Sequence, residues 1–287
     1  MIYSSAQEFL DAPNKRILLF GMSGLGKTHV SGILRQTEQW FHYSVDYRIG
    51  TRYMGEHIAD NFKQMAWEVP FLRDLLLSDT IHISANVHTE DLKAVSTYLG
   101  KPGNPVQGGL DFVQYQHRQD QFREAEISAL KDTAHFIDRA QRIYHYPHFI
   151  CDTGGSICEW VDPTDANDPL LVELAQSCLM VWLKGSDAHT AELVRRFDKA
   201  PKPMSYQPEF LLTCWREYLN ENNCKEGEVN PDAFIRWTYA RALAHRQPRY
   251  QAMAENFGIT VDADLLKNVS TEQDCLTVIA SAFPHSG

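Results

Sequence analysis

Residues 17–28 read Ile17-Leu18-Leu19-Phe20-Gly21-Met22-Ser23-Gly24-Leu25-Gly26-Lys27-Thr28, an apolar run that gives way to a glycine-rich turn closed by a lysine and a threonine. Gly21 to Thr28 satisfies the pattern GxxxxGK(S/T) at every fixed position, and a strand before it with a helix after it is the context the pattern requires. The residue types follow from the chemistry. Glycines let successive backbone N–H groups turn inward around phosphate oxygens, and the start of a helix adds the positive end of its dipole. Lys27 supplies a mobile cation and Thr28 a hydroxyl for Mg²⁺. A nucleoside triphosphate is the implied ligand. A turn that merely links a strand to a helix would need no such set, and Val30, Ile33, Leu34 and Trp40 recur near the helical period, so a helix to about residue 40 is expected to bury one face against a sheet.

Working outward, Phe41 to Val45 reads as a second strand ending at Asp46, which makes a βαβ opening. The fold class that follows is α/β: a three-layer α/β/α P-loop NTPase fold with a parallel sheet of about five strands. Further strands are expected over residues 149–151, 178–183 and 258–261. Helices are expected from Gln119 toward Pro147, and over residues 184–197, 209–221, 231–244 and 271–283. Residues 55–118 break the rhythm. They suggest helices over 57–67 and 71–77, a strand over 80–85 and a Gly/Pro-rich loop over 100–109. This reads as a mostly helical insertion, an acceptor- or partner-binding subdomain between core segments 1–54 and 119–287.

Composition narrows the class. The 287 residues are 44% hydrophobic and carry 37 acidic against 27 basic side chains, for a formal net charge of −10. That balance argues against a broad nucleic-acid footprint. No run approaches membrane-spanning length, and the first residues lack a cationic leader, so neither nucleic acid nor membrane is an expected partner. Six cysteines without a CxxC pair fit free thiols, and a cytoplasmic location is expected. Twelve histidines include no HExxH.

Several other segments carry a family likeness when taken in chain order. They are Phe122-Arg123-Glu124-Ala125-Glu126, Thr153-Gly154-Gly155, Val181 to Ser186 with Arg195 and Arg196 beyond, Pro201-Lys202-Pro203-Met204, and Arg246-Gln247-Pro248-Arg249-Tyr250 followed by Ala254. Together with the phosphate loop they resemble the shikimate kinase family and its relatives among small-molecule P-loop kinases. The likeness covers roughly residues 14–54 and 119–287. It implies ATP and Mg²⁺ as cofactors, held by Gly21, Ser23, Gly24, Leu25, Gly26, Lys27, Thr28 and His29, with Arg195 or Arg196 on the adenine. It also implies a small anionic acceptor gripped by Arg123 and Arg246, with Glu126 aiming a guanidinium and Gly154 and Gly155 offering backbone amides. Lys202 stands where the family lid has arginine, and keeps the charge without the planar fork.

Two acids compete for the remaining chemistry. Asp46, at the carboxyl end of the second strand, lies where ligands bind in such sheets and could orient or deprotonate a hydroxyl; a helix cap or a partner for Arg48 is the other reading. Asp152 ends an apolar strand and could hold Mg²⁺ through water; a structural role is the other reading. Where the family carries an earlier acid on the second strand, this chain has Ser44. Two functions stay open. One is an ATP-dependent kinase acting on a small acceptor, with Lys27, Asp46 and Lys202 catalytic. The other is an ATPase or nucleotide-switched regulatory protein that uses the insertion to bind a protein partner. No NKxD segment supports a GTPase.

Overall fold

The computed structural model describes residues 1–88 and 92–284. In chain order the main elements are α1 (Ala6–Asp11), β1 (Arg16–Phe20), α2 (Lys27–Gln36), β2 (Trp40–Ser44), α3 (Val45–Arg48), α4 (Gly55–Trp67), α5 (Pro70–Leu77), α6 (Lys93–Leu99) and α7 (Phe112–Arg142). There follow β3 (His148–Asp152), α8 (Pro169–Ser177), β4 (Leu179–Lys184), α9 (Asp187–Lys199), α10 (Pro208–Asn222), α11 (Pro231–Phe257), β5 (Gly258–Asp262) and α12 (Glu272–Ser281). The chain forms two compact units. The first comprises Met1–Val45, Leu130–Pro201 and Arg236–Gly287, and the second Asp46–Ala129 and Lys202–Ile235.

The first unit is built on one sheet in the order β2-β3-β1-β4-β5, every neighbouring pair parallel. Ile17, Leu18, Leu19 and Phe20 are all fully buried although successive side chains point to opposite faces, so both faces of the sheet are covered by helices. The expected three-layer α/β/α class is the one observed. Helix α2 packs on β2 and β3, and α12 packs on α1 and α2. From α11, the Tyr250 ring lies 6.2 Å from Phe20 and 6.3 Å from Trp182. At the edge, β5 alternates: Ile259 and Val261 are buried, Thr260 and Asp262 exposed.

Two local expectations fail here for tertiary reasons. Trp40 opens β2 instead of closing the helix, because its indole is buried and donates to Glu272 Oε1 at 2.8 Å. Helix α11 does not stop at Ala244 but runs through Pro248 to Phe257. An interior proline costs about 3 kcal/mol, and burial of Tyr250, Met253, Ala254 and Phe257 beyond it offsets that cost.

The second unit is helical. Helix α7 begins at Phe112, well before Gln119, because Phe112 stacks on Trp215 at 4.4 Å and Trp215 meets Phe234 edge-on at 5.0 Å. Arg118 donates to the Tyr98 carbonyl and to Asn61 Oδ1, the latter at 2.8 Å, and lies over the Tyr98 ring at 4.7 Å. Residues 80–85 form no strand. Their side chains alternate between half-buried and exposed, but among the described residues no neighbouring strand supplies the ladder of hydrogen bonds a strand requires.

Candidate functional site

The phosphate loop leaves β1 at Gly21, whose φ of +127° belongs to glycine and whose added Cβ would lie 2.8 Å from the Leu183 carbonyl oxygen. Gly26, at φ +97°, is the left-handed N-cap of α2 and brings no side-chain cap, so the helix's opening N–H groups are not claimed by a capping side chain. Lys27 is buried, and its ammonium donates to the carbonyls of Gly21 at 2.8 Å and Met22 at 3.0 Å. The loop is therefore curled with its lysine folded across it. Leu25 is buried, whereas Ser23, Gly24, Thr28 and His29 are exposed.

Asp152 ends β3, the strand between β1 and β2, in register with Leu19 on one side and Ser44 on the other. The Thr28 hydroxyl donates to its Oδ2 at 3.4 Å. On its other side, Oδ1 lies 3.1 Å from Nε2 of His42, both side chains more than nine-tenths buried. Reasoning from sequence missed His42. Its alternation with Ser44 on β2 places both on one face, but only the β2–β3 register reveals which acid that face meets.

After Asp152 the chain turns through Thr153, Gly154 and Gly155, and α11 holds the turn from outside. Thr153 N–H donates to the Leu19 carbonyl at 3.1 Å. The Tyr250 hydroxyl donates to the Gly155 carbonyl, and Arg249 donates to the carbonyls of Cys158 and Val161, each at 2.7 Å. A Cβ added at Gly155 would sit 3.1 Å from Ser23 Oγ and 3.6 Å from a terminal nitrogen of Arg246. Gly155 thus separates the phosphate loop from a guanidinium by the width of one small side chain.

Arg246 itself is buried and donates from Nε to Glu159 Oε1 at 2.6 Å, while His245 Nε2 lies 3.4 Å from Oε2. Burial alone would raise the Glu159 pKa. The Arg246 charge and hydrogen bond, with the His245 ring close to Oε2, reverse the shift and leave the carboxyl below its ordinary value. In the same way burial would lower Arg246, but the Glu159 carboxylate outweighs it and holds the guanidinium firmly charged. Burial pushes the neighbouring Cys158 thiol up to about 12, so it is no nucleophile.

The other expected residues are placed as follows. Arg195 and Arg196 are exposed on α9 and share Glu192, at 2.6 Å from each Nε. Those hydrogen bonds draw Glu192 down to about 2. In the second unit, Asp46 is half-buried on α3, Arg123 on α7 pairs with Asp120 at 3.2 Å, and Lys202 is exposed in the irregular segment before α10. Glu126 is fully buried. In the first unit a pocket of about 490 Å³ opens beside Trp182, Lys184, Thr190 and Gln247, and none of the expected site residues lines it.

The residues present fit a polyphosphate and its metal. The glycine turn and the helix start bring no capping side chain to the opening N–H groups of α2, which is what an anion site at a helix N-terminus requires. Among the described residues no group of three or more His, Cys, Asp or Glu side chains is placed to hold a metal. Mg²⁺ needs none, since it retains waters and takes one or two protein oxygens beside phosphate oxygens. Thr28 and Asp152, whose oxygens lie 3.4 Å apart, could supply such a pair. No helix among the described residues is long and apolar enough to cross a membrane.

No protein-family model and no curated protein matches the chain. Solved structures similar to it include the shikimate kinase from Bacteroides thetaiotaomicron, at 17% identity over 92% of this chain and 94% of that one, with a TM-score of 0.38. Another is the shikimate kinase from Acinetobacter baumannii in complex with shikimate, at 16% identity over 95% and 93%, with a TM-score of 0.35. Likeness at this level carries no residue's role across. The assignment of the fold rests on the strand order and loop geometry above.

Proposed function

We propose that this protein is an ATP-dependent phosphotransferase acting on a small, anionic acceptor. The observation that carries the reading is the convergence of the curled Gly21–Thr28 loop with Asp152, whose carboxylate accepts from the Thr28 hydroxyl at 3.4 Å. Phosphoryl transfer asks the protein mainly for positioning and charge neutralisation. Lys27 would lie along the transferring phosphate, and Thr28 with Asp152 would hold Mg²⁺, which when bound neutralises charge on the phosphate oxygens. Asp152 is the register partner of Ser44, so a carboxylate lacking on β2 is offered from the adjacent strand at the same level of the sheet. Asp46 is proposed to orient the acceptor hydroxyl and take its proton. Arg123 and Arg246 are proposed to grip its anionic group, Gly154 and Gly155 to present amides, and Lys202 to bring charge from a lid. Residues 55–118 are proposed to shape the acceptor site.

One observation favours a second reading. Arg246 is already bonded to Glu159 inside the protein, and a guanidinium so neutralised is a weaker anion receptor. An ATPase or nucleotide-switched regulatory protein would need no acceptor site, and the second unit could then bind a protein partner. Product analysis separates the two. With γ-labelled ATP and a pool of hydroxylated carboxylates, transfer of label to a small molecule is expected; label appearing only as inorganic phosphate, unaffected by every acceptor, would overturn the kinase.

A further inference from the structure

His42 on β2 could have been an apolar residue, as its neighbours Trp40 and Phe41 are. Instead its Nε2 and the Oδ1 of Asp152 are buried 3.1 Å apart, and neither atom has an aligned hydrogen-bond partner among the described residues. Burying two such atoms without an aligned partner costs about 1–3 kcal/mol apiece. A buried polar group kept at that cost is explained when it orients a neighbour that does the work.

We propose that His42 is a positioning residue for the cation site: its imidazole holds Asp152 by Oδ1, so that Oδ2 faces Thr28. This rests on the phosphotransferase reading only through the assignment of Asp152 and Thr28 to the metal. The geometry gives the carboxylate two distinct sides. One oxygen meets a ring nitrogen anchored on β2, the other meets the hydroxyl of Thr28 in the first turn of α2. With the ring removed, the carboxylate is free to rotate about its χ2 torsion, which is broad for aspartate, and ordering it falls on cation binding. Groups that hold a ligating side chain from behind typically account for 10- to 100-fold in metal affinity.

The test uses the full chain with Mn²⁺ as the probe ion and ADP as the nucleotide, free Mn²⁺ being followed by electron paramagnetic resonance. His42→Leu is expected to weaken Mn²⁺ binding to the protein–ADP complex by 10-fold or more, with ADP affinity in EDTA within two-fold of the unsubstituted protein. His42→Gln, which keeps a nitrogen donor at similar reach, is expected to recover most of the loss. A role in packing alone would lower thermal stability or the EDTA affinity and would not be rescued by glutamine. Should His42→Leu fail to fold, His42→Phe keeps the ring without the donor, and the same loss is expected. Mn²⁺ affinity unchanged in the Leu or Phe variant, while Asp152→Asn weakens it, overturns the role of His42 alone. Unchanged affinity in Asp152→Asn, or no ADP-dependent Mn²⁺ binding in the unsubstituted protein, overturns the metal assignment and the positioning role with it.

Discussion

Arg246 on α11 and Glu159, in the turn after β3, form an ion pair at 2.6 Å with side-chain exposures of 3% and 0%. A pair sealed in this way is costly to break from one side, because the survivor is a buried charge that has lost its carboxylate. Glu159→Leu is therefore expected to lower stability by about 3–5 kcal/mol, read as a shift of the urea midpoint at unchanged slope. A loss under about 1 kcal/mol would mean that Arg246 finds another partner.

The same pair sets part of the acid limit. The folded-state pKa of Glu159 lies below its ordinary 4.5, so as pH falls the unfolded chain takes up the proton first. The stabilisation is complete above about 4.5 and is lost as pH falls through the lower, folded value. Between pH 6 and pH 3 the stability of the unsubstituted protein should fall more steeply than that of Glu159→Gln. Parallel curves would remove the linkage.

Lys27 lies across the loop on the carbonyls of Gly21 and Met22. Lys27→Met is expected to cut ATP turnover by about 10²-fold or more, the scale for losing one preorganised electrostatic contact. Because the substitution also takes the donor away from the Gly21 and Met22 carbonyls, a stability loss of about 1–3 kcal/mol is expected beside it, and turnover is compared well below the melting range of the variant. Turnover within a few-fold of the unsubstituted protein would detach the loop from catalysis.

Two glycines should respond in opposite directions. Gly21→Ala puts a Cβ 2.8 Å from a backbone oxygen at φ +127°, and a destabilisation of about 1–3 kcal/mol is expected. Gly32, inside α2, has open space around its Cβ position, so Gly32→Ala should stabilise by about 0.5–1 kcal/mol. Thermal denaturation of the two variants side by side checks both signs.

Asp46 discriminates the two functional readings. For a kinase, Asp46→Asn should lower the rate of acceptor phosphorylation by about 10²- to 10⁴-fold, with nucleotide affinity retained. If ATP hydrolysis is the whole activity, the variant should hydrolyse at an unchanged rate, and a steady-state assay with and without acceptor distinguishes these outcomes.

How much of this was legible beforehand depends on how local each feature is. The phosphate loop could be read because glycine placement, an apolar strand and a helical stripe act over a dozen neighbouring residues. The strands Arg16–Phe20 and Leu179–Lys184 announced themselves through the apolar runs 17–20 and 179–183, which burial on both faces produces. Asp152 could be singled out by its place at the end of such a run. Local rules failed where a distant partner decided the outcome. Residues 80–85 alternate as a strand should, yet no strand pairs with them among the described residues, and Trp40 continues a helical stripe but is captured by Glu272. Pro248 signals a stop that the packing of Tyr250 and Met253 overrides.

The amino-acid order alone therefore settled that a parallel α/β sheet carries a glycine-rich turn between its first strand and the next helix, since backbone dihedral preferences and hydrophobic period need no long-range contact. Folding decided what surrounds that turn: His42 against Asp152 across two strands, and Arg246 against Glu159 over 87 positions of chain. A buried charge takes whichever partner the sheet register and helix packing bring within 3 Å or so, and neither register nor packing is written in the spacing of the residues themselves.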